Sequence, residues 1–201
     1  MSTINRFELS RAIERFRAIK LPLDGRRAAA ITIAVLITDG GPAIWLTERT
    51  STLRAHPRQF AFPGGRIDPN ETAAEAALRE LHEELGIHAH PGQIIGELDD
   101  FATKSGYVIT PFVVWIGDFT GTLRPNPAEV AHVHTVTMDE VDADPRFVTD
   151  PRVDSPVLQW PFRGVDVHAP TAAILYQFRE VVLRRRPTRV AHHGQPVFAW
   201  Q

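Results

Sequence analysis

Apolar positions along the chain recur first at helical spacing and then in continuous β-branched runs. Phe7, Leu9, Ala12, Ile13 and Phe16 are separated by Arg and Glu, which predicts an amphipathic helix over Arg6 to Lys20 that either packs on the body or docks a partner. Pro22 ends that pattern. Ala28 to Thr38, with Ile31, Ile33, Val35, Leu36 and Ile37, is too short and too β-branched for a helix and predicts a buried strand. The turn signal Asp39-Gly40-Gly41-Pro42 and the run Ala43 to Thr47 complete a hairpin.

Arg49 to Arg66 is basic and irregular, and Pro63-Gly64-Gly65 marks a loop that presents backbone. Thr72 to Leu85 is helical, with Gly86 placed for a left-handed cap. Three more strands are predicted at Ile94 to Leu98, Tyr107 to Ile116 and His132 to Val136. Asp142 to Pro161, holding four prolines, reads as a long ordered loop, and Pro170 to Arg186 as a second long helix. Strands with helices before, among and after them predict an α/β chain, a mixed sheet between helical layers. The expected organisation is an N-terminal helix and linker over 1–27, one domain over 28–186 and a tail over 187–201.

Composition narrows the chemistry. The formal charge of -2 argues against a nucleic-acid or membrane-surface binder, so any anion site must be local. With no cysteine, metal ligands must be oxygen or imidazole. No stretch reaches the roughly 18 apolar residues of a membrane span, and a cytoplasmic address is the expectation.

The passage from Gly65 through Glu71 to Arg79-Glu80-Leu81-His82-Glu83-Glu84-Leu85-Gly86-Ile87 carries the chemistry. Taking Glu80 as zero, Glu83 lies near about -60° and Glu84 near about +40° on a helical projection, so the three carboxylates share one face. Ala74, Leu78, Leu81 and Leu85 fall on the far side as an apolar stripe. Crowded carboxylates repel, so at least one pKa should rise until a dication removes the conflict. Mg²⁺ takes carboxylates, waters and phosphate oxygens, and Mn²⁺ accepts the same ligands. The alternative, a solvated acidic face, holds for most glutamates taken singly.

This passage resembles the Nudix box at every fixed position. With seven identities each matched at a usage of roughly 0.07, chance agreement is about 10⁻⁸ per starting position. The resemblance implies a Nudix-like α/β/α sandwich and a hydrolase acting on diphosphate linkages. It implies metal binding by Glu80, Glu84 and Glu83, the last also a candidate base, with the carbonyl of Gly65 as a further ligand. It makes Arg79 and Glu71 a structural pair that holds the loop to the helix. Glu129, in Asn126-Pro127-Ala128-Glu129-Val130, is the candidate for the downstream glutamate that supplies a ligand or the base.

Upstream, Leu46, Thr47, Arg49, Arg54, His56, Gln59 and Phe62 to Gly65 resemble the signature of coenzyme A diphosphatases within that group. The chain departs from it at Arg58, where Gly is usual, at Thr50, where Ser or Ala is usual, and at Trp45, where an aliphatic residue is usual. Arg49, Arg54, His56 and Arg58 gather phosphate donors beside the metal helix and are the candidate substrate-binding residues. His192-His193 lack the spacing of a metal site, and His82, at about 200° on the same projection, points away from the carboxylates.

The implied reaction splits coenzyme A or its thioesters into 3',5'-ADP and a phosphopantetheine. A second reading keeps the chemistry and changes the substrate to ADP-ribose, a dinucleotide or another nucleoside diphosphate derivative. A third is a sensing domain without turnover, against which the full set of glutamates argues. The partner is a small diphosphate molecule, and a homodimer through the N-terminal helix stays open.

Overall fold

The computed structural model describes residues 4–50 and 59–196. In chain order it contains α1 (Arg6–Phe16), β1 (Arg27–Thr38), β2 (Gly41–Arg49), β3 (Phe60–Ala61), β4 (Gly64–Arg66) and α2 (Ala73–Leu85). After a short 3₁₀ turn come β5 (Ile94–Glu97), β6 (Phe101–Ala102), β7 (Tyr107–Asp118), β8 (Val130–Thr137) and the one-turn α3 (Met138–Val141). The last elements are β9 (Arg146–Val148), β10 (Val157–Phe162), β11 (Val165–His168), α4 (Thr171–Phe178) and a π turn, Arg179–Leu183.

The main sheet is mixed. β7 runs parallel to β1 along one whole edge of it, while β2, β4 and β8 add antiparallel pairings. On the other edge of β1, β2 pairs only from Val35 to Thr38 and then diverges. The wedge so opened is filled by β3 against β2 and β4 against β1, and the Thr32 amide donates to the Pro63 carbonyl at 2.8 Å. Thus Pro63-Gly64-Gly65 sits inside the sheet.

Period-two alternation divides the core between the two faces. Ile31, Ile33, Val35, Ile44 and Leu46 pack with Leu9, Ile13 and Phe16 of α1 and with α4. Ala30, Ala34, Leu36 and Trp45 face α2, through Ala76, Ala77, Leu81 and Leu85. Ala76 and Ala77, rather than the expected Ala74 and Leu78, join the expected Leu81 and Leu85 as fully buried positions of α2, and Thr32 Oγ1 donates to the Ala77 carbonyl at 2.9 Å. The result is a mixed sheet between helical layers, and α1 packs on its own sheet. Among the described residues no helix is long and apolar enough to cross a membrane.

Three expectations require correction. α1 stops at Phe16 rather than Lys20, since Arg17 is left-handed and Asp99 and Asp100 accept the amides of Ile19 (2.8 Å) and Leu21 (3.0 Å), drawing that segment out straight. The proline-bearing stretch 142–161 is not a loop throughout. It holds the C-cap of α3, and it contributes β9 and most of β10 to a second, three-stranded sheet with β11, closed by the Arg163-Gly164 hairpin turn in which both residues have positive φ. The expected helix to Arg186 changes to a π turn at Arg179, whose guanidinium is buried on the Asp142 carbonyl and on Asp144.

Candidate active site

Helix α2 is fixed at both ends by local chemistry. Thr72 and Glu75 form a reciprocal capping box, and Gly86 closes the C-terminus at φ 71°. The three box glutamates leave α2 at different depths: Glu84 is buried, Glu80 half-buried and Glu83 exposed.

The Glu84 carboxylate turns into the sheet, where its Oε1 faces the Gly64 amide at 3.4 Å. Burial pushes its pKa up to about 8, and Glu80 and Glu129 add to the rise while Arg49 opposes it. Glu80 is raised as well, first by burial and then by Glu83 and Glu129, against the hydrogen bond from Arg79. The upward shift expected from mutual repulsion is therefore present, but loss of water is its larger cause. Gly65 borders the same carboxylate so closely that a Cβ built there would overlap the Glu80 oxygens. That contact explains the glycine.

Arg79 organises the acidic face. Its Nε and one terminal nitrogen donate to the two oxygens of Glu71 at 2.8 and 3.0 Å, and that second nitrogen also donates to the Arg66 carbonyl at 3.0 Å. The other terminal nitrogen donates to Glu80 at 2.9 Å and to Glu83 at 2.8 Å. These bonds hold Glu71 below the usual carboxylate range and raise the Arg79 pKa further. The loop-to-helix tie assigned to Arg79 and Glu71 thus exists, and it extends to two of the candidate metal ligands.

Consequently the three box carboxylates do not already converge. Among the described residues no group of three His, Asp or Glu side chains stands ready around one point. The second oxygen of each of Glu80, Glu83 and Glu84 accepts no hydrogen bond from a described residue. The donor set suits a hard dication: oxygen ligands only, one of them a buried carboxyl whose charge has weak compensation, beside a glycine cradle.

Glu129 is brought to this group by residues that sequence reasoning missed. The Asn126 amide donates to the Glu84 carbonyl at 2.9 Å, while its side-chain Nδ2 lies 3.4 Å from Glu129 Oε1. Thr50, at the end of β2, donates its amide to the Glu129 carbonyl at 3.0 Å and its hydroxyl to the Ala128 carbonyl at 3.3 Å. Nothing in local pattern marks Asn126, because its partner is 42 residues away along the chain.

Of the four candidate substrate residues, Arg49 lies near enough to the cluster for its charge to act on Glu84, and its buried Nε has no hydrogen-bond partner among the described residues. Arg54, His56 and Arg58 lie outside the described residues. On the opposite sheet face Phe60, His134 and Phe162 form an aromatic group, with Glu48 Oε2 3.4 Å from His134 Nε2. His82 stacks on His88 at 3.7 Å and His193 packs near Phe147. The tail carrying His193 is tied down at Gln195, which donates to the Ala102 carbonyl and accepts from the Lys104 amide.

The NUDIX domain matches residues 26–160, two thirds of the chain. The chain belongs to the Nudix family. It is 37% identical over 121 residues to Nudix hydrolase 3 of Caenorhabditis elegans, covering 59% of this chain and 50% of that protein. It is 37% identical over 139 residues to a Nudix hydrolase called NudL in Photorhabdus laumondii, covering 66% of this chain and 73% of that one. The chain therefore spans only half the length of the worm relative. A MutT/nudix family protein from Enterococcus faecalis shares the Nudix fold, with a TM-score of 0.53 over 90% of this chain and 74% of its own at 15% identity.

Proposed function

We propose that the protein hydrolyses a diphosphate linkage in a nucleoside diphosphate derivative, with coenzyme A or an acyl-coenzyme A as substrate and 3',5'-ADP and a phosphopantetheine as products. The observation that supports the metal-dependent chemistry is the placement of buried Glu84 between the Gly64 amide and the neighbouring charges of Glu80, Glu129 and Arg49. Such a site is costly without a cation and suited to one with it. The substrate rests on the resemblance of Leu46 to Gly65 to the coenzyme A signature.

Glu80, Glu83, Glu84 and the Gly65 carbonyl would hold Mg²⁺ or Mn²⁺. When bound, the ion neutralises phosphoryl charge and lowers the pKa of a coordinated water. Arg49 supplies a guanidinium for the diphosphate oxygens. Glu129, steadied by Asn126, takes the proton of the attacking water, since Arg79 already engages one oxygen of Glu83. Arg79 and Glu71 keep the loop of Arg66 against α2.

Two departures from the coenzyme A signature carry no weight against that substrate. The Thr50 hydroxyl makes a bond to Ala128 that Ser could also make, and Trp45 is a core residue packed edge-on against Phe119 at 5.0 Å. Arg58 keeps ADP-ribose and dinucleotides as the alternative. The deciding experiment incubates the protein with Mg²⁺ or Mn²⁺ and coenzyme A, acetyl-coenzyme A, ADP-ribose and a dinucleotide, identifying products by mass. Cleavage of another compound with coenzyme A intact sinks the substrate assignment. No turnover of any, with nucleotide binding retained, would instead support a sensing domain. Glu83→Gln and Glu129→Gln should each lower turnover by orders of magnitude, and EDTA should abolish it.

A further inference from the structure

Charge is distributed unevenly along this chain. Residues 1–27 hold seven Lys and Arg against three Asp and Glu, and residues 184–189 hold four Arg and no acid, although the whole protein carries -2. The fold brings the two segments together on the sheet face opposite α2, where Arg185 donates to the Glu8 carbonyl and carboxylate at 3.0 and 3.1 Å. Between them lies a groove of about 320 Å³ lined by Ala12, Phe16, Val181 and Pro187 and by Arg11, Arg15, Arg185 and Arg186.

The cations of this groove are poorly neutralised. Glu8, the acid in the lining, is occupied by Arg185, a residue held at φ 56°. Arg186 reaches Glu180 only at 3.6 Å, and that carboxylate already accepts from buried Arg179 at 3.0 Å. Arg11 and Arg15 make no hydrogen bond or ion pair with a described residue, although Arg11 lies 5.5 Å over the Phe7 ring. Two guanidinium groups without an ion pair to a described residue, Arg11 and Arg15, and a third, Arg186, whose partner Glu180 is shared with Arg179, therefore surround a hollow whose buried wall, Ala12, Phe16 and Val181, is apolar. Their mutual repulsion is relieved by an anion, and the apolar wall gives that anion a second point of recognition.

We propose that this groove binds a phosphate monoester bearing a compact apolar group, with Arg11, Arg15 and Arg186 on the phosphate and Phe16 and Val181 under the apolar part. A monoester carries nearly two negative charges at neutral pH and three acceptor oxygens, whereas a carboxylate offers one charge and two oxygens to the same three cations. The volume falls at the lower end of the range for small-molecule clefts. Binding does not depend on the catalytic reading. The source of the ligand does, because hydrolysis of a diphosphate linkage releases two phosphate monoesters, and the groove matches the chemical class of the products.

The test is calorimetric titration of the full chain in EDTA with phenyl phosphate, benzoate, orthophosphate and 4'-phosphopantetheine. Phenyl phosphate should bind one site at least about tenfold more tightly than benzoate or orthophosphate. Arg11→Gln and Arg15→Gln should each weaken it about tenfold without changing diphosphatase turnover, and Glu84→Gln should leave binding intact. Absence of saturable binding, equal binding by the Arg11→Gln/Arg15→Gln double variant, or loss of binding in Glu84→Gln overturns the proposal. Exclusion of 4'-phosphopantetheine while phenyl phosphate binds overturns the link to that product. None of these outcomes alters whether diphosphate is cleaved.

Discussion

The main-chain carbonyl of Glu84 accepts the amide of Asn126 at 2.9 Å, which fastens the turn bearing Glu129 to the most buried carboxylate of α2. Asn126→Ala keeps that backbone bond and removes the side-chain contact to Glu129. One hydrogen bond to a charged group is worth about 1.5 kcal/mol, so kcat should fall about tenfold while KM and the thermal midpoint change little. Steady-state kinetics decide it, and an unchanged kcat would show that the Asn126 side chain does not position Glu129 for the chemistry.

Glu84 makes the metal-free protein sensitive to pH in an unusual direction. Its folded pKa of about 8 lies above that of the unfolded chain, so between the normal carboxylate range and pH 8 the folded state holds a proton that the unfolded state has lost. Its contribution to stability is full at low pH and declines as pH rises through that window. Denaturant titrations in EDTA should show Glu84→Gln gaining stability relative to the parent at pH 8 and not at pH 5. A gain of the same size at both values would refute the linkage.

Metal affinity should respond oppositely. Binding an ion to Glu84 displaces its proton, so apparent Mn²⁺ affinity should rise about tenfold per pH unit below pH 8 and level off above it. Calorimetry in buffers of different ionisation enthalpy should detect the released proton. A flat affinity from pH 6 to 8 would remove Glu84 from the ligand set.

Gly65→Ala places a methyl group on the Glu80 carboxylate. Displacing one proposed ligand by about an ångström should lower turnover roughly a hundredfold while circular dichroism stays unchanged. Retained activity would mean that Glu80 has freedom to move without consequence.

Arg79→Lys preserves the charge and loses the fork that serves Glu71, Glu80, Glu83 and the Arg66 carbonyl together. The pair is partly exposed, so the loss should be about 1–3 kcal/mol in urea unfolding, accompanied by at least tenfold lower turnover. Loss of activity with full stability would show that Arg79 acts on the ligands alone.

What the sequence determined by itself follows from local physics. Helical spacing placed the glutamates on one face of α2, Thr72 and Gly86 bounded it, and β-branched runs announced β1 and β7. Local pattern failed where distant groups overruled it. α1 ends early because Asp99 and Asp100 bind the amides beyond it, α4 widens where Arg179 is buried, and β9 and β10 form in a proline-bearing stretch because a partner strand exists.

The site shows the same division. Residue types and spacing nominated Glu80, Glu83, Glu84 and Gly65 as candidates, but depth of burial, and with it the proton affinity of Glu84, was decided only when α2 settled on the sheet. Likewise only folding set Arg79 across two of those carboxylates, brought the charge of Arg49 near Glu84 and joined Asn126 to Glu129. Covalent order fixes which groups are available, while desolvation and long-range hydrogen bonds, which exist only in the packed chain, set how they behave.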